Sequence, residues 1–284
     1  MHFHFDFTAV EILWTLTFAA QLILLVVLLG RDRTARFKWF TAGIVVVGLR
    51  LLTSRVLYSR LAPLPYNAIL ITLADLGVLT GILVLVELAR HAFLQVKRRT
   101  WVLAALAMTA VGAAVLALWG AWPAWKTLTA NSRLAFLLVM QLAAQKGELL
   151  VNVLAVELGL VIVLFGRRFK TGWRSHTQQI AIGFSTLGIA QMATQRIQQI
   201  IVTTVVPKTQ AELDQARGLL ERVINCGNAI YIVVLAWWIA CMWIDEPGAA
   251  AAASGPLPAE PAAADEDQLP EHLTTGTGPL TTDN

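Results

Sequence analysis

Apolar positions fall in runs of about 20 residues, long enough to cross a hydrocarbon core of about 30 Å, separated by short connections marked by Lys, Arg, Pro or Gly. Seven runs follow one another: Val10 to Leu29, Trp39 to Tyr58, Ala68 to Leu88, Trp101 to Trp119, Leu149 to Phe165, Gln179 to Val205 and Val223 to Ile244. Their length excludes transmembrane strands. The pattern therefore predicts an all-α, polytopic membrane protein, a bundle of seven transmembrane helices.

Composition agrees with lipid as the solvent. A soluble domain carries about a quarter charged residues, whereas charged residues make up 14% of this chain and apolar ones 57%. The two cysteines, Cys226 and Cys241, lie on one predicted helix about 22 Å apart, too far for a disulfide. From Pro247 onward the sequence turns to Ala, Pro, Gly, Thr and acidic residues without Lys or Arg. Such a segment buries too little apolar surface to fold. The expected organisation is a transmembrane domain over 1–246 and a disordered acidic cytoplasmic tail over 247–284.

Orientation follows from the basic residues, since basic connections stay on the cytoplasmic side. The first connection holds Arg31, Arg33, Arg36 and Lys38, the third Arg90, Lys97, Arg98 and Arg99, the fifth Arg167, Arg168, Lys170 and Arg174. The opposite connections carry Trp119, Trp122, Pro123 and Trp125, or mix in Glu212, Asp214 and Glu221. This puts the N-terminus outside and the C-terminus in the cytoplasm. Met1 to Thr8 lacks the basic region of a removable signal peptide, so the first helix is expected to stay.

Ionisable groups at mid-membrane cost about 2.5 kcal/mol or more, so each needs a partner or a wet cavity. Arg50 and Asp75 come out at similar depth, about 12 Å below the outer boundary at the helical rise. They suggest an ion pair between helices 2 and 3, either a brace or part of a ligand site. Three later helices carry polar residues at helical spacing in their outer halves: Gln141, Gln145, Glu148 and Asn152; Gln191, Gln195 and Gln198; Glu221, Asn225 and Asn228. Such faces turn toward each other or toward water. They predict an outward-open polar pocket, with interhelical amide hydrogen bonding as the alternative. Arg50, Asp75, Glu148, Asn152, Gln191, Gln195, Asn225 and Asn228 are its candidate ligand-binding residues. The fifth helix is expected to begin near Asn131, and Thr209 with Glu212 has the spacing of a capping box that starts the last helix outside the bilayer. Glu157 lies about 140° around its helix from Asn152. It is either a protonated core residue or the proton-titrating group of a carrier. Gly77 and Gly81 have the spacing of close helix packing.

The inventory removes several chemistries. No Lys stands in helix 7 for a retinal Schiff base, and His2, His4, His91, His176 and His272 fall outside the runs, which argues against haem ligation and a Ser-His protease. Asp75 is the one Asp within a run, so a two-aspartate protease lacks its second acid. No zinc-protease, nucleophile-elbow or Walker motif occurs. The expectation is a non-enzymatic protein without cofactor, metal or nucleic-acid partner.

Two further features bear on function. Leu25 to Arg31 resembles Val161 to Arg167, each closing an outward-to-inward helix, which suggests parallel three-helix repeats joined by helix 4, with Gln21 opposite Glu157. The run Val84-Leu85-Val86-Glu87-Leu88-Ala89-Arg90-His91, with the basic-inside layout, resembles uncharacterised seven-helix integral membrane proteins of bacteria. That resemblance implies a multi-pass protein of the bacterial inner membrane and no particular activity. The expected function is binding or sensing of a small polar ligand, signalled to a separate cytoplasmic effector at the basic loops. The alternatives are a small-solute transporter with a 3+1+3 helix repeat and a non-catalytic membrane assembly subunit.

Overall fold

A computed structural model describes residues 8–58, 60–93, 98–119, 122, 133–165, 175–204 and 209–245. Among them the chain forms seven helices: α1 (Ala9–Gly30), α2 (Lys38–Val56), α3 (Pro63–Ala92), α4 (Arg98–Leu118), α5 (Arg133–Phe165), α6 (His176–Thr204) and α7 (Gln210–Trp243). By length and composition α1, α2, α3, α5 and α7 can each cross a bilayer, which makes this a multi-pass membrane protein. α4 is apolar over the shorter stretch Val102–Leu118, and α6 is diluted by amides. The basic residues of the fifth connection, Pro123 and Trp125, and the tail from Pro247 lie outside the described residues.

The helix ends follow local chemistry. Thr8 and Glu11 form a capping box on α1, with the Thr8 hydroxyl accepting from the Glu11 amide at 3.3 Å and the Glu11 carboxylate accepting from the Thr8 amide at 3.4 Å. Thr209 caps α7 in the expected way, its hydroxyl accepting from the Glu212 amide at 3.3 Å. Pro63 opens α3 at a position where its missing N–H costs nothing. α1 ends past Gly30 in a Schellman turn: the Arg33 amide donates to the Leu28 carbonyl at 2.9 Å and the Asp32 amide to the Leu29 carbonyl at 3.1 Å. Asp32 takes the left-handed position, φ 51°, where glycine is the common residue and Asp is tolerated.

α2 lacks a cap of its own, because its leading residue is Phe37. Glu87 of α3 supplies one: its two carboxyl oxygens accept from the amides of Trp39 at 3.3 Å and Phe40 at 3.1 Å. A carboxylate buried at a helix N-terminus meets both the orphan N–H groups and the positive end of the dipole.

Six helices close a ring in the order α1–α2–α3–α5–α6–α7 and back to α1; α4 stands outside it, packed on α5. Glycines permit the closest approaches. A Cβ on Gly188 of α6 would stand 2.8 Å from the Asn152 backbone oxygen of α5, and one on Gly81 of α3 would meet Val151 of α5 at 3.0 Å. Toward the end that carries the α1–α2 connection, the ring is filled by Leu24, Leu28, Leu88, Leu158, Ile162, Ile180, Leu235 and Met242, all fully buried. That basic end is also tied laterally. Arg33 donates to Nδ1 of His176 at 2.7 Å, to the Ile244 carbonyl at 3.3 Å and to Asp245 at 2.9 Å. His176 Nε2 lies 3.0 Å from the same Ile244 carbonyl, which fixes its hydrogen on Nε2 and leaves Nδ1 to accept from Arg33.

At the opposite end α5 outruns α4. Lys146 donates to the Trp119 carbonyl just past α4, so the thirteen residues of α5 before Lys146 extend about 20 Å further. Gln145, Lys146 and Glu148 interrupt an apolar stretch that already begins at Leu134, which is why the sequence run starts at Leu149 rather than at the head of the helix, Arg133.

In the ring order a shift of three places takes α1, α2 and α3 to α5, α6 and α7. Burial matches in a different register from the one the sequence suggests. Pairing Gln21 with Glu157 would match the buried Leu24 and Leu28 to Leu160 and Leu164, both exposed. Moving two residues back matches them to the buried Leu158 and Ile162 and sets Gln21 against Ala155.

Candidate functional site

The helices part around a cavity of about 620 Å³ that reaches down to Phe40, two residues past the start of α2 at the basic end. Five of the ring helices contribute residues at helical spacing: Phe40, Ile44, Val47 and Arg50 from α2; Gly77, Gly81 and Val84 from α3; Glu148 and Asn152 from α5. α6 adds Phe184, Gln191, Thr194, Gln195 and Gln198, and α7 adds Ile224, Asn228, Tyr231 and Trp238. Polar side chains gather at the mouth and middle, and aromatic ones form the floor.

Six of the eight candidate residues meet here: Arg50, Glu148, Asn152, Gln191, Gln195 and Asn228. Arg50 Nη1 donates to Glu148 Oε1 at 2.9 Å, across the ring from α2 to α5. Asn152 Nδ2 donates to Gln191 Oε1 at 3.1 Å, so the amides of α5 and α6 also hold the helices together. The wall thus combines amide bridging with open volume.

Two candidates do not join. The expected pair between Arg50 and Asp75 is replaced by the pair with Glu148. Asp75 stands two residues before the cavity-lining Gly77, about 160° around α3, on the far side of that helix. Asn225 follows Ile224 by one residue, so it lies about 100° off the cavity face of α7. Glu157 is a separate feature. Both of its oxygens are buried without a hydrogen-bond partner among the described residues. It lies seven residues past Leu150 and so within about 20° of the face whose Leu150 and Leu154 meet Gly112 of α4.

The floor was not legible as a site. Phe40, Phe184 and Trp238 pack on one another with ring centroids 5.1 to 6.0 Å apart, mostly edge-on or tilted. Gly183 makes room for this, since a Cβ there would stand 2.2 Å from the Trp238 indole nitrogen. Above the floor, Tyr231 accepts a hydrogen bond from Gln21 Nε2 at 2.9 Å, which leaves its own O–H to donate. Gln21 is buried behind it, its Oε1 without a partner among the described residues, beside Gly48. Gly77, expected as a packing residue, borders open space: a Cβ there meets nothing within 4 Å. Gly81 alone of that pair packs tightly. Among the described residues no cluster of His, Cys, Asp or Glu could hold a metal ion.

No family model matches the chain, and no curated protein and no solved structure is significantly similar to it.

Proposed function

We propose that this chain is a seven-span protein of the bacterial cytoplasmic membrane, N-terminus outside, that binds a small ligand in the ring cavity from the outer side. It passes the binding event to a separate cytoplasmic partner at the basic end. The observation that carries the reading is the cavity itself, of a size typical of small-molecule sites, with the Arg50–Glu148 pair and amides from α5, α6 and α7 converging on it. Beside the Asn152–Gln191 bridge, which serves helix association, the polar side chains that border open volume support a role in binding. Arg31, Arg33, Arg36 and Lys38 at the closed end support the orientation.

A carrier is the second reading, favoured by the ring order: two sequential three-helix units, with α4 outside as the link. One experiment separates the two. In a background with Cys226 and Cys241 replaced by Ser, single Cys at Asn152, Gln191 and Asn228 should react with a hydrophilic thiol reagent added outside. Cys at the exposed, lipid-side Leu160 should stay protected. Cys at Thr209 and at Arg36 should react from opposite sides. Reactivity of Asn152 or Gln191 positions from the cytoplasmic side of sealed vesicles would favour a carrier, because alternating access exposes the site to both sides. Protection of all three cavity positions from both sides would overturn the binding reading.

A further inference from the structure

Two charged residues line the cavity, Arg50 of α2 and Glu148 of α5, and one hydrogen bond joins them, from Arg50 Nη1 to Glu148 Oε1 at 2.9 Å. A guanidinium has five N–H donors in a planar fork, and a carboxylate accepts at both oxygens. Among the described residues neither side chain makes another hydrogen bond, so Nε and Nη2 of Arg50 and Oε2 of Glu148 are left over. The side chains, 47% and 33% exposed, are open to the cavity. The pair therefore presents a positive and a negative edge side by side.

Charge decides which ligands gain from such a pair. An anion on Arg50 also stands close to the Glu148 carboxylate, and a cation on Glu148 close to the guanidinium, so attraction and repulsion largely offset each other. A molecule that carries both charges meets each edge with a charge-assisted hydrogen bond and leaves the Arg50–Glu148 bond in place. A sugar or other neutral polyol gains no attraction between ions. Two of the three floor rings also give it no face to lie on, since Phe40 and Trp238 are 0% and 1% exposed. Because the two edges adjoin, the opposite charges of the ligand must sit on one carbon or on neighbouring ones.

We infer that the ligand is a small zwitterion of the α-amino-acid class, with its carboxylate on Nε and Nη2 of Arg50 and its ammonium on Oε2 of Glu148. This rests on the binding reading above and names the ligand class for the same site. The cavity volume is in the range of small-molecule sites and leaves room for a side chain.

The test uses the full chain in detergent. Its melting midpoint, read from the fraction that still elutes as a single species after heating, is measured with each of the standard L-amino acids at millimolar concentration and with glucose. At least one amino acid should raise the midpoint and glucose should not. The amino acid that stabilises most is then titrated by calorimetry beside its carboxamide, a cation, and its N-acetyl derivative, an anion. Each derivative should bind about tenfold or more weakly, having lost one charge-assisted contact. Arg50→Gln should reverse the first comparison, so that the carboxamide binds better than the amino acid, and Glu148→Gln should reverse the second. If a variant does not fold, the three-way comparison on the native chain still decides. No stabilisation by any amino acid, stabilisation by glucose instead, or equal binding of one singly charged derivative would overturn the zwitterion. With thiol access at Asn152 retained, the binding reading would survive that result; with access also lost, both would fall.

Discussion

Whether the Arg50–Glu148 pair sits in water or in a dry interior is measurable as a coupling energy. Two unit charges about 4 Å apart attract by about 1 kcal/mol in bulk water and about 4 kcal/mol at an effective dielectric constant of 20. The side chains of Arg50 and Glu148 are 47% and 33% exposed, both facing the cavity. The screened value is the relevant one, so the pair should behave as an exposed bridge with a coupling of about 0.5 to 1 kcal/mol. Arg50→Leu, Glu148→Leu and the double variant, unfolded by denaturing-detergent titration in bicelles, give that coupling from the cycle. Each single change should cost about 1 kcal/mol or less, since the remaining charge still meets water. Raising the salt to 1 M should shrink the coupling, because the screening length falls to about 3 Å. A coupling of about 3 kcal/mol or more, unmoved by salt, is the signature of a desolvated pair. That result would remove the wet cavity on which the functional reading depends.

Two further outcomes follow from single groups. Glu87→Ala strips both acceptors from the buried start of α2 and should cost about 2 kcal/mol or more in the same titration, with Glu87→Gln, which keeps one acceptor, falling between; an Ala variant as stable as the native chain would remove the capping role. Glu157→Leu replaces a buried carboxyl that has no partner with an apolar group of similar size and should stabilise by about 1 to 3 kcal/mol, whereas a loss of stability would mean that the carboxyl is held by a bond the described residues do not reveal.

What the sequence made legible was whatever is local or periodic. Apolar runs located α1, α2, α3, α5 and α7, and the Thr209–Glu212 spacing located the start of α7 well before its apolar run. The same spacing in Thr8–Glu11 was there to be read at the start of α1. The polar faces of α5 and α6 were legible from their spacing, and much of each reaches the cavity. Rotation about a helix axis was not. Depth alone made Asp75 as good a partner for Arg50 as Glu148, and only the packing of α3 turns Asp75 away. The cap that Glu87 gives α2 joins residues 47 and 48 apart in sequence, and nothing near Phe37 announces it beyond the missing polar residue. The aromatic floor hid for a related reason, since Phe40, Phe184 and Trp238 each read as ordinary core on separate helices.

The two ends of the ring set what a signal or a transport cycle has to do. α7 carries Asn228 and Tyr231 in the cavity and Trp238 at its floor, and its end at Ile244 and Asp245 is gripped by Arg33. From Asn228 to Ile244 is about 24 Å of one helix, stiff enough to carry a displacement. The grip reaches α6 as well, through His176, so movement of α6 against α7 must alter the Arg33 contacts. Occupancy changes the basic end only if the ligand binds one arrangement of these helices more tightly than the other. For a sensor, the Arg33–His176–Ile244 cluster need only rearrange, exposing or withdrawing basic side chains from a partner. A carrier must open it, together with the buried apolar packing of Leu28, Leu88, Ile162, Ile180 and Met242 nearer that end. That packing is the larger obstacle, and its intactness at the closed end is the physical reason to rank binding above transport.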